Sequence, residues 1–173
     1  ISRLLPKRER LTLSDRDPEY LRLLEQAFGQ QEAVDVIKLD LDSDEDFASL
    51  PRSYDTVVCL NVLEHVEEDA AALKRMVGAL EPGGRVILLV PQHDFLMSEM
   101  DRELGHHRRY EKPSVEELLQ EAGLETEHVQ NFNALAILGW WLNAKVMGRK
   151  ELSKVQLKVF DSLVPMLSRI ESL

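Results

Sequence analysis

Short apolar runs alternate with segments of helical periodicity along most of the chain. Five apolar runs predict β-strands, at residues 11–14, 34–39, 55–60, 85–90 and 124–132. The third and fourth runs are nearly all apolar, which is typical of strands buried on both faces of a sheet. Because helical segments lie between the strands, the pattern predicts an α/β fold, with a mainly parallel sheet between two layers of helices.

The helical segments carry start and stop signals. Asp17 followed by Pro18 predicts an N-cap and the first turn of a helix. The helix before the fourth strand is expected to stop at residues 81–84, whose sequence is EPGG. Ser114 and Glu117 predict a capping box at the start of a later helix. The C-terminal quarter of the chain has helical periodicity throughout.

Length, charge and cysteine content narrow the class of protein. The chain has 173 residues, so we predict one domain, with residues 1–132 as the α/β part and 133–173 as its helical lid or tail. The net charge is −10, and the acidic excess lies in the middle of the chain, which argues against non-specific binding to nucleic acids. The single cysteine, Cys59, cannot form an internal disulfide, which favours a cytoplasmic protein.

Polar residues follow the apolar runs at the positions where a parallel sheet binds ligands. Asp15 and Asp40 end the first two strands, and Asn61 ends the third. A carboxylate at such a place can accept hydrogen bonds from both hydroxyls of a ribose, which is the interpretation for Asp15, and Asp40 could accept one from an adenine amino group. The alternatives are that Asp15 starts the next helix, and that Asp40 and Asn61 cap the segments that follow them.

Three segments occur in the order and spacing of a known family. Residues 54–66 (YDTVVCLNVLEHV), 80–91 (LEPGGRVILLVP) and 121–124 (EAGL) resemble motifs of the class I S-adenosylmethionine-dependent methyltransferases. The resemblance covers about residues 9–132 and implies a Rossmann-like three-layer fold. It also implies an enzyme that uses S-adenosylmethionine and releases S-adenosylhomocysteine (SAH). Residues 101–110 (DRELGHHRRY) are similar to a subgroup whose substrates are small molecules or glycan-related compounds.

The resemblance assigns six positions to the cofactor. Asp15 matches the acidic residue that holds the ribose hydroxyls, and Arg16 lies beside the adenine. Asp40 and Leu41 match the pair at the edge and face of the adenine. The residues near the methionine moiety are Asn61 and Val62.

The loop over residues 92–110 follows the fourth strand, where a substrate lid would lie. The residues expected in the substrate region are His93, His107, Arg109 and Tyr110. His106 is the candidate general base for a hydroxyl acceptor. The alternative is that His106 and Arg109 hold the lid by hydrogen bonds to carboxylates.

The same loop bears on anions and metals. Arg108 and Arg109 favour an anionic acceptor, such as a phosphorylated or carboxylated sugar. The histidines at 93, 106 and 107 lack a recognised ligand spacing, so we predict no metal site.

The two ends of the sequence carry further predictions. The family's Gly-rich loop and last strand have no counterpart in this chain, and residues 1–5 look like the helix after that loop, so we expect a longer biological protein. Residues 134–160 suggest a membrane-surface helix or an acceptor lid, with a helical cover or a homodimer face as the alternative. The alternatives to a methyltransferase are another dinucleotide-binding α/β enzyme and a non-catalytic interaction module.

Overall fold

Parallel strands and helices alternate over residues 9–51 and 53–131, which are the residues that the computed structural model describes. The elements in chain order are β1 Leu11–Asp15, α1 Pro18–Phe28, β2 Val34–Lys38, α2 Asp44–Ala48, β3 Tyr54–Leu60, α3 Asp69–Gly78, β4 Leu80–Leu89, α4 Glu99–Glu103 and α5 Lys112–Glu121. Two short 3₁₀ helices, Leu63–His65 and Asp94–Leu96, lie in the segments after β3 and β4. The predicted α/β fold with parallel strands is confirmed.

The strands form two parallel pairs. β1 pairs with β2 from Leu11 opposite Val34 to Asp15 opposite Lys38. β3 pairs with β4, and the register shifts between Tyr54, which is opposite Leu80, and Thr56, which is opposite Arg85. The EPGG segment therefore lies within β4 rather than before it. Between the pairs, the Tyr54 hydroxyl lies 3.2 Å from the Thr12 hydroxyl. The part of the chain described here therefore contains two two-stranded sheets, where the sequence predicted one continuous sheet.

The main core lies on one face of β3 and β4, against α3 and α5. Leu63, Ala72 and Leu73 are fully buried there, and Cys59, Val66, Met76 and Tyr110 complete the buried cluster. The opposite face differs from the prediction of strands buried on both sides. Val58 and its register partner Ile87 are 42% and 51% exposed. Alternation of side chains along a strand places these two residues away from the core.

Two local predictions near α5 are wrong. The fifth strand predicted at 124–132 is irregular over its described part, up to residue 131. Its sequence, LETEHVQN, is largely exposed, and no described strand pairs with it. The helix α5 also starts three residues earlier than predicted, because Pro113 fits the first helical turn. Ser114 therefore accepts a hydrogen bond from the Glu111 N–H, at 3.1 Å, instead of acting as the N-cap itself.

The ends of the chain lie outside the described residues. This applies to the predicted helix at 1–5 and to the tail at 133–173, including the proposed membrane-surface or dimer segment at 134–160. Among the helices that are described, none has the length and apolar character that crossing a bilayer requires.

Candidate functional site

Two carboxylates lie at the same edge of the first sheet. Asp15 is the last residue of β1, and its carbonyl accepts a hydrogen bond from the Leu39 N–H at 3.0 Å. Asp40 comes directly after Leu39, two residues beyond the end of β2. Because β1 and β2 are parallel and in register, both carboxylates lie at the carboxyl end of this sheet. Ligands of open α/β sheets bind at that end.

Neighbouring residues act as the helix caps that the alternative interpretation assigned to these carboxylates. The N-cap of α1 is Asp17, whose side chain accepts from the Glu19 N–H at 2.7 Å, and the N-cap of α2 is Ser43. Asp15 Oδ1 accepts from the Asp17 N–H at 2.9 Å, and Asp40 Oδ1 accepts from a backbone N–H at 3.1 Å. Among the described residues, no donor reaches Oδ2 of either aspartate.

The two residues next to these aspartates differ in exposure. Arg16 is exposed, at the start of the turn into α1. Leu41 is half-buried, and its carbonyl accepts a hydrogen bond from Arg75 at 3.0 Å. The side chain of Leu41 packs against the main core, and its exposed part can offer an apolar contact to a ligand ring.

β3 and the segment after β4 both turn through a left-handed residue. Asn61 has φ +52° and its N–H donates to the Leu89 carbonyl at 2.8 Å. His93 has φ +70° and its N–H donates to the Tyr110 carbonyl at 3.0 Å. Non-glycine residues adopt this conformation rarely, and such residues cluster at functional sites. Val62, next to Asn61, is 42% exposed at the same edge.

The strain at Asn61 gives a test of this turn. Asn61→Ala is expected to lower the free energy of unfolding by about 1 kcal/mol, because alanine lacks the local side-chain bonding that lets asparagine adopt a left-handed conformation. Asn61→Gly should be neutral within a few tenths of a kcal/mol, since glycine carries no steric penalty there. Urea denaturation of both variants checks this. Equal stabilities for the two variants would contradict the assigned backbone geometry.

The loop over residues 92–110, called the lid loop below, is held in place by a buried aspartate to which the sequence analysis assigned no role. Asp101 is 0% exposed. Its Oδ1 accepts from Arg109, at 2.9 Å from Nε and 2.7 Å from Nη2, and lies 3.2 Å from His106 Nδ1. Its Oδ2 accepts from the Ser98 N–H at 2.8 Å and from the Ser98 hydroxyl at 2.7 Å. The start of α4 and the His106–Arg109 segment are thus joined through one carboxylate.

Burial and charge act differently on the buried acids. Burial alone would raise the pKa of Asp101, but the hydrogen bonds from Ser98 and Arg109 and the charge of Arg109 outweigh it and lower that pKa. Burial raises the pKa of Glu64 and is opposed only in part by a backbone hydrogen bond and by Arg109. Burial, and secondarily the charge of Glu64, raises the pKa of Cys59 to about 11, so this thiol is protonated at neutral pH.

His106 reaches a second group of residues as well. Its ring lies edge-on to the ring of His65, with a centroid distance of 4.7 Å. Potential ligand atoms of Glu64, His65 and His106 all lie within 4.8 Å of one another. The prediction of no metal site rested on the histidines at 93, 106 and 107. The structure instead brings His106 to an adjacent Glu-His pair, which lies 41 residues earlier in the sequence.

The other residues predicted for the substrate region are spread over this loop. Arg109, with a side chain 8% exposed, also donates to the Gln92 carbonyl at 3.1 Å. Tyr110 is 4% exposed and its hydroxyl donates to Asp69 at 2.9 Å. His93 lies 3.5 Å from a Glu111 carboxylate oxygen, and His107 is exposed. The contacts of Arg109 and Tyr110 are those of residues that hold the lid, and their contact with a substrate stays a prediction.

Glu64, Asp101 and Ser98 are residues of the candidate site to which the sequence analysis assigned no role. Glu64 lies within a motif that was recognised, but its burial was not expected of a charged residue. Ser98 and Asp101 have the spacing of an N-cap and its third helical residue, and this signal was present in the sequence.

Comparisons with known proteins give one family. A family model described as a methyltransferase domain matches residues 1–86. A ubiquinone biosynthesis O-methyltransferase of Xanthomonas euvesicatoria is 27% identical over 119 residues, which are 61% of this chain and 48% of that protein. The chain spans about half the length of the curated relatives it matches.

Solved structures agree with this fold. The YcgJ protein of Bacillus subtilis superposes with a TM-score of 0.61 at 14% identity, over 87% of this chain and 72% of that one. The trans-methyltransferase CalH, solved in complex with SAH, gives a TM-score of 0.52 at 20% identity, over 66% of this chain and 36% of that one. The family model, the sequence relative and the fold coincide, and the chain belongs to the class I S-adenosylmethionine-dependent methyltransferase family.

Proposed function

We propose that the protein transfers the methyl group of S-adenosylmethionine to an oxygen of a small-molecule acceptor. The observation that carries this proposal is the pair Asp15 and Asp40 at the ends of parallel strands, each with a carboxylate oxygen that no described residue engages. The family supplies the reaction class. The curated relatives are O-methyltransferases, which supports an oxygen acceptor.

The strand-end residues suit the adenosine part of the cofactor. Asp15 would accept from the ribose hydroxyls through Oδ2 while Oδ1 stays bonded to the Asp17 N–H, and ionised acceptors make the stronger hydrogen bonds of this kind. Asp40 would accept from the adenine amino group, with Leu41 against the ring and Arg16 at its exposed side. Asn61 and Val62 would border the methionine part, at the turn after β3. When bound, the sulfonium supplies an activated methyl group.

The lid would hold the acceptor at the carboxyl end of β4. His93, at the left-handed turn after β4, and the exposed His107 are the residues of this loop best placed to meet a ligand. An anionic or sugar-linked acceptor remains part of the proposal. For His106 the sequence left two roles open, a general base and a residue that holds the lid. His106 and Arg109 already bind Asp101, which favours a positioning role for both.

Ligand-induced stabilisation of the full chain tests the cofactor. SAH at about 100 times its dissociation constant should add roughly 2.7 kcal/mol of stability, or about 5–10 °C in melting temperature for a chain of this size. Differential scanning fluorimetry against adenosine triphosphate as a control ligand measures this shift. A cooperative melt that SAH leaves unchanged would contradict cofactor binding and move the interaction-module alternative forward.

Several finer points belong to the same proposal. The family model and the curated relatives are methyltransferases, which favours methyl transfer over the activity of another dinucleotide-binding enzyme. We further propose a cytoplasmic protein, on the basis of its one free cysteine, which is buried. Avoidance of nucleic acids rests on the net charge of −10.

A further inference from the structure

The turn after β3 and the lid loop bring three metal-binding side chains together. Glu64 and His65 belong to the 3₁₀ helix Leu63–His65, and His106 comes from the loop after α4. The His107 N–H donates to the Glu64 carbonyl at 2.8 Å, which fixes the loop against the turn. The ligand atoms of the three side chains lie within 4.8 Å of one another.

Glu64 is the first independent sign of a ligand. It is 1% exposed, and among the described residues its Oε2 has no hydrogen-bond partner. Buried carboxylates are costly unless they are paired or bind a cation. The nearby Arg109 donates to Asp101 and to the Gln92 carbonyl, and its charge offsets part of the cost of burying Glu64.

The two histidines make the hydrogen bonds that metal-ligating histidines usually make. His106 Nδ1 contacts the Asp101 carboxylate at 3.2 Å, and His65 Nδ1 contacts the Gly105 carbonyl at 3.2 Å. Both partners only accept hydrogen bonds, so each Nδ1 carries the proton and each Nε2 keeps its lone pair. A ligating histidine that donates its other N–H to a carboxylate or a carbonyl is the common second layer of metal sites.

We propose that Glu64, His65 and His106 form a site for a divalent transition-metal cation of the zinc class. Two imidazoles and one carboxylate suit such a cation better than magnesium, which prefers oxygen ligands. Ligand bonds of about 2.0–2.1 Å need ligand atoms roughly 3.4 Å apart, so side-chain rotation must close the present spacing. Three protein ligands leave a fourth position for water or for an oxygen of another molecule.

Cobalt substitution gives a readout that does not depend on enzymatic activity. Co²⁺ is titrated into the full chain after treatment with a chelator, and visible absorption is recorded. We expect saturable d–d bands at one equivalent, with loss of the bands when Zn²⁺ is added, and a rise in melting temperature of roughly 5–10 °C with Zn²⁺ at about 100 times its dissociation constant. Absence of both effects in the folded wild-type protein would overturn the proposal.

Three variants locate the site. Glu64→Gln and His106→Ala should abolish the cobalt bands or weaken binding more than 100-fold. His128→Ala, which changes an exposed histidine on another segment, is the matched control and should bind as the wild type does. Equal binding by all three variants would place the cation elsewhere and refute the assignment.

Glu64→Gln also separates a metal site from a packing cluster. Without metal, this variant should melt at or above the temperature of the wild type, because it removes a buried carboxylate whose Oε2 lacks a partner. With Zn²⁺, the order should reverse, since only the wild type gains stability. A metal-free variant that melts well below the wild type would show that Glu64 is a structural group and would contradict the proposal. None of these outcomes depends on whether SAH binds.

Discussion

Asp101→Ala is expected to lower the free energy of unfolding by about 3–5 kcal/mol, the usual cost of removing one partner of a buried ion pair. Asp101 is 0% exposed and the Arg109 side chain only 8% exposed, so the variant leaves a buried guanidinium without its carboxylate. It also leaves the N–H and hydroxyl of Ser98 without their acceptor. The melting temperature should fall by roughly 6–20 °C.

Two further variants define the cause. Asp101→Asn keeps the shape of the side chain and part of its acceptor capacity, so its loss should be smaller than that of Asp101→Ala. Asp94→Ala is the matched control, because Asp94 is an exposed aspartate in the same loop. Guanidinium denaturation of all three proteins measures the differences. A loss for Asp101→Ala that matches the Asp94→Ala control would contradict the role of Asp101 as the anchor of the lid.

The same variant predicts a change in pH dependence. The pKa of Asp101 is lower in the folded protein than its usual value of 3.8, so its contribution to stability is present above that value and is lost as the pH falls through the lowered pKa. Glu64 acts in the opposite direction. Its pKa is raised above 4.5, so the folded state loses stability as the pH rises from that value through the raised pKa. Asp101→Ala should therefore lose most of its disadvantage in strong acid.

The strand-end carboxylates were predictable because local patterns fix them. Asp15 and Asp40 each follow an apolar run, and the geometry of a parallel sheet places the ends of neighbouring strands together. The same reasoning failed for residues 124–131. Those residues alternate in polarity, but a strand also needs a partner, and no described strand provides one.

The Glu64, His65 and His106 cluster could not be read from spacing. His65 and His106 meet only because the lid loop folds back along the turn after β3, fixed by the hydrogen bond between His107 and Glu64. The burial of Asp101 follows from the same folding back. Such contacts depend on tertiary packing between distant segments, and no periodicity in the sequence encodes them.

The largest expected effect on cofactor binding is that of Asp15→Asn. If Asp15 accepts from the ribose hydroxyls, loss of its charge removes about 1.5–3 kcal/mol per charged hydrogen bond and should raise the dissociation constant of SAH roughly 10–150-fold. Asparagine retains an oxygen for the Asp17 N–H, so the turn into α1 should persist. The melting temperature without ligand should therefore change little, while the shift with SAH shrinks.

Asp35→Asn is the control for this change because Asp35 also lies in the first sheet, at the second residue of β2. It pairs with Arg10 at the sheet end away from the ligand edge, and the side chains of Arg10 and Asp35 are 78% and 44% exposed. Exposed ion pairs of this kind contribute little, so neither stability nor SAH affinity should move measurably. Isothermal titration of SAH into the wild type and both variants decides the matter. If the folded Asp15→Asn protein binds SAH within twofold of the affinity of the wild type, the carboxylate that binds the ribose is that of another residue. The cofactor would then have to bind the sheet in a different place from the one that the strand-end geometry indicates.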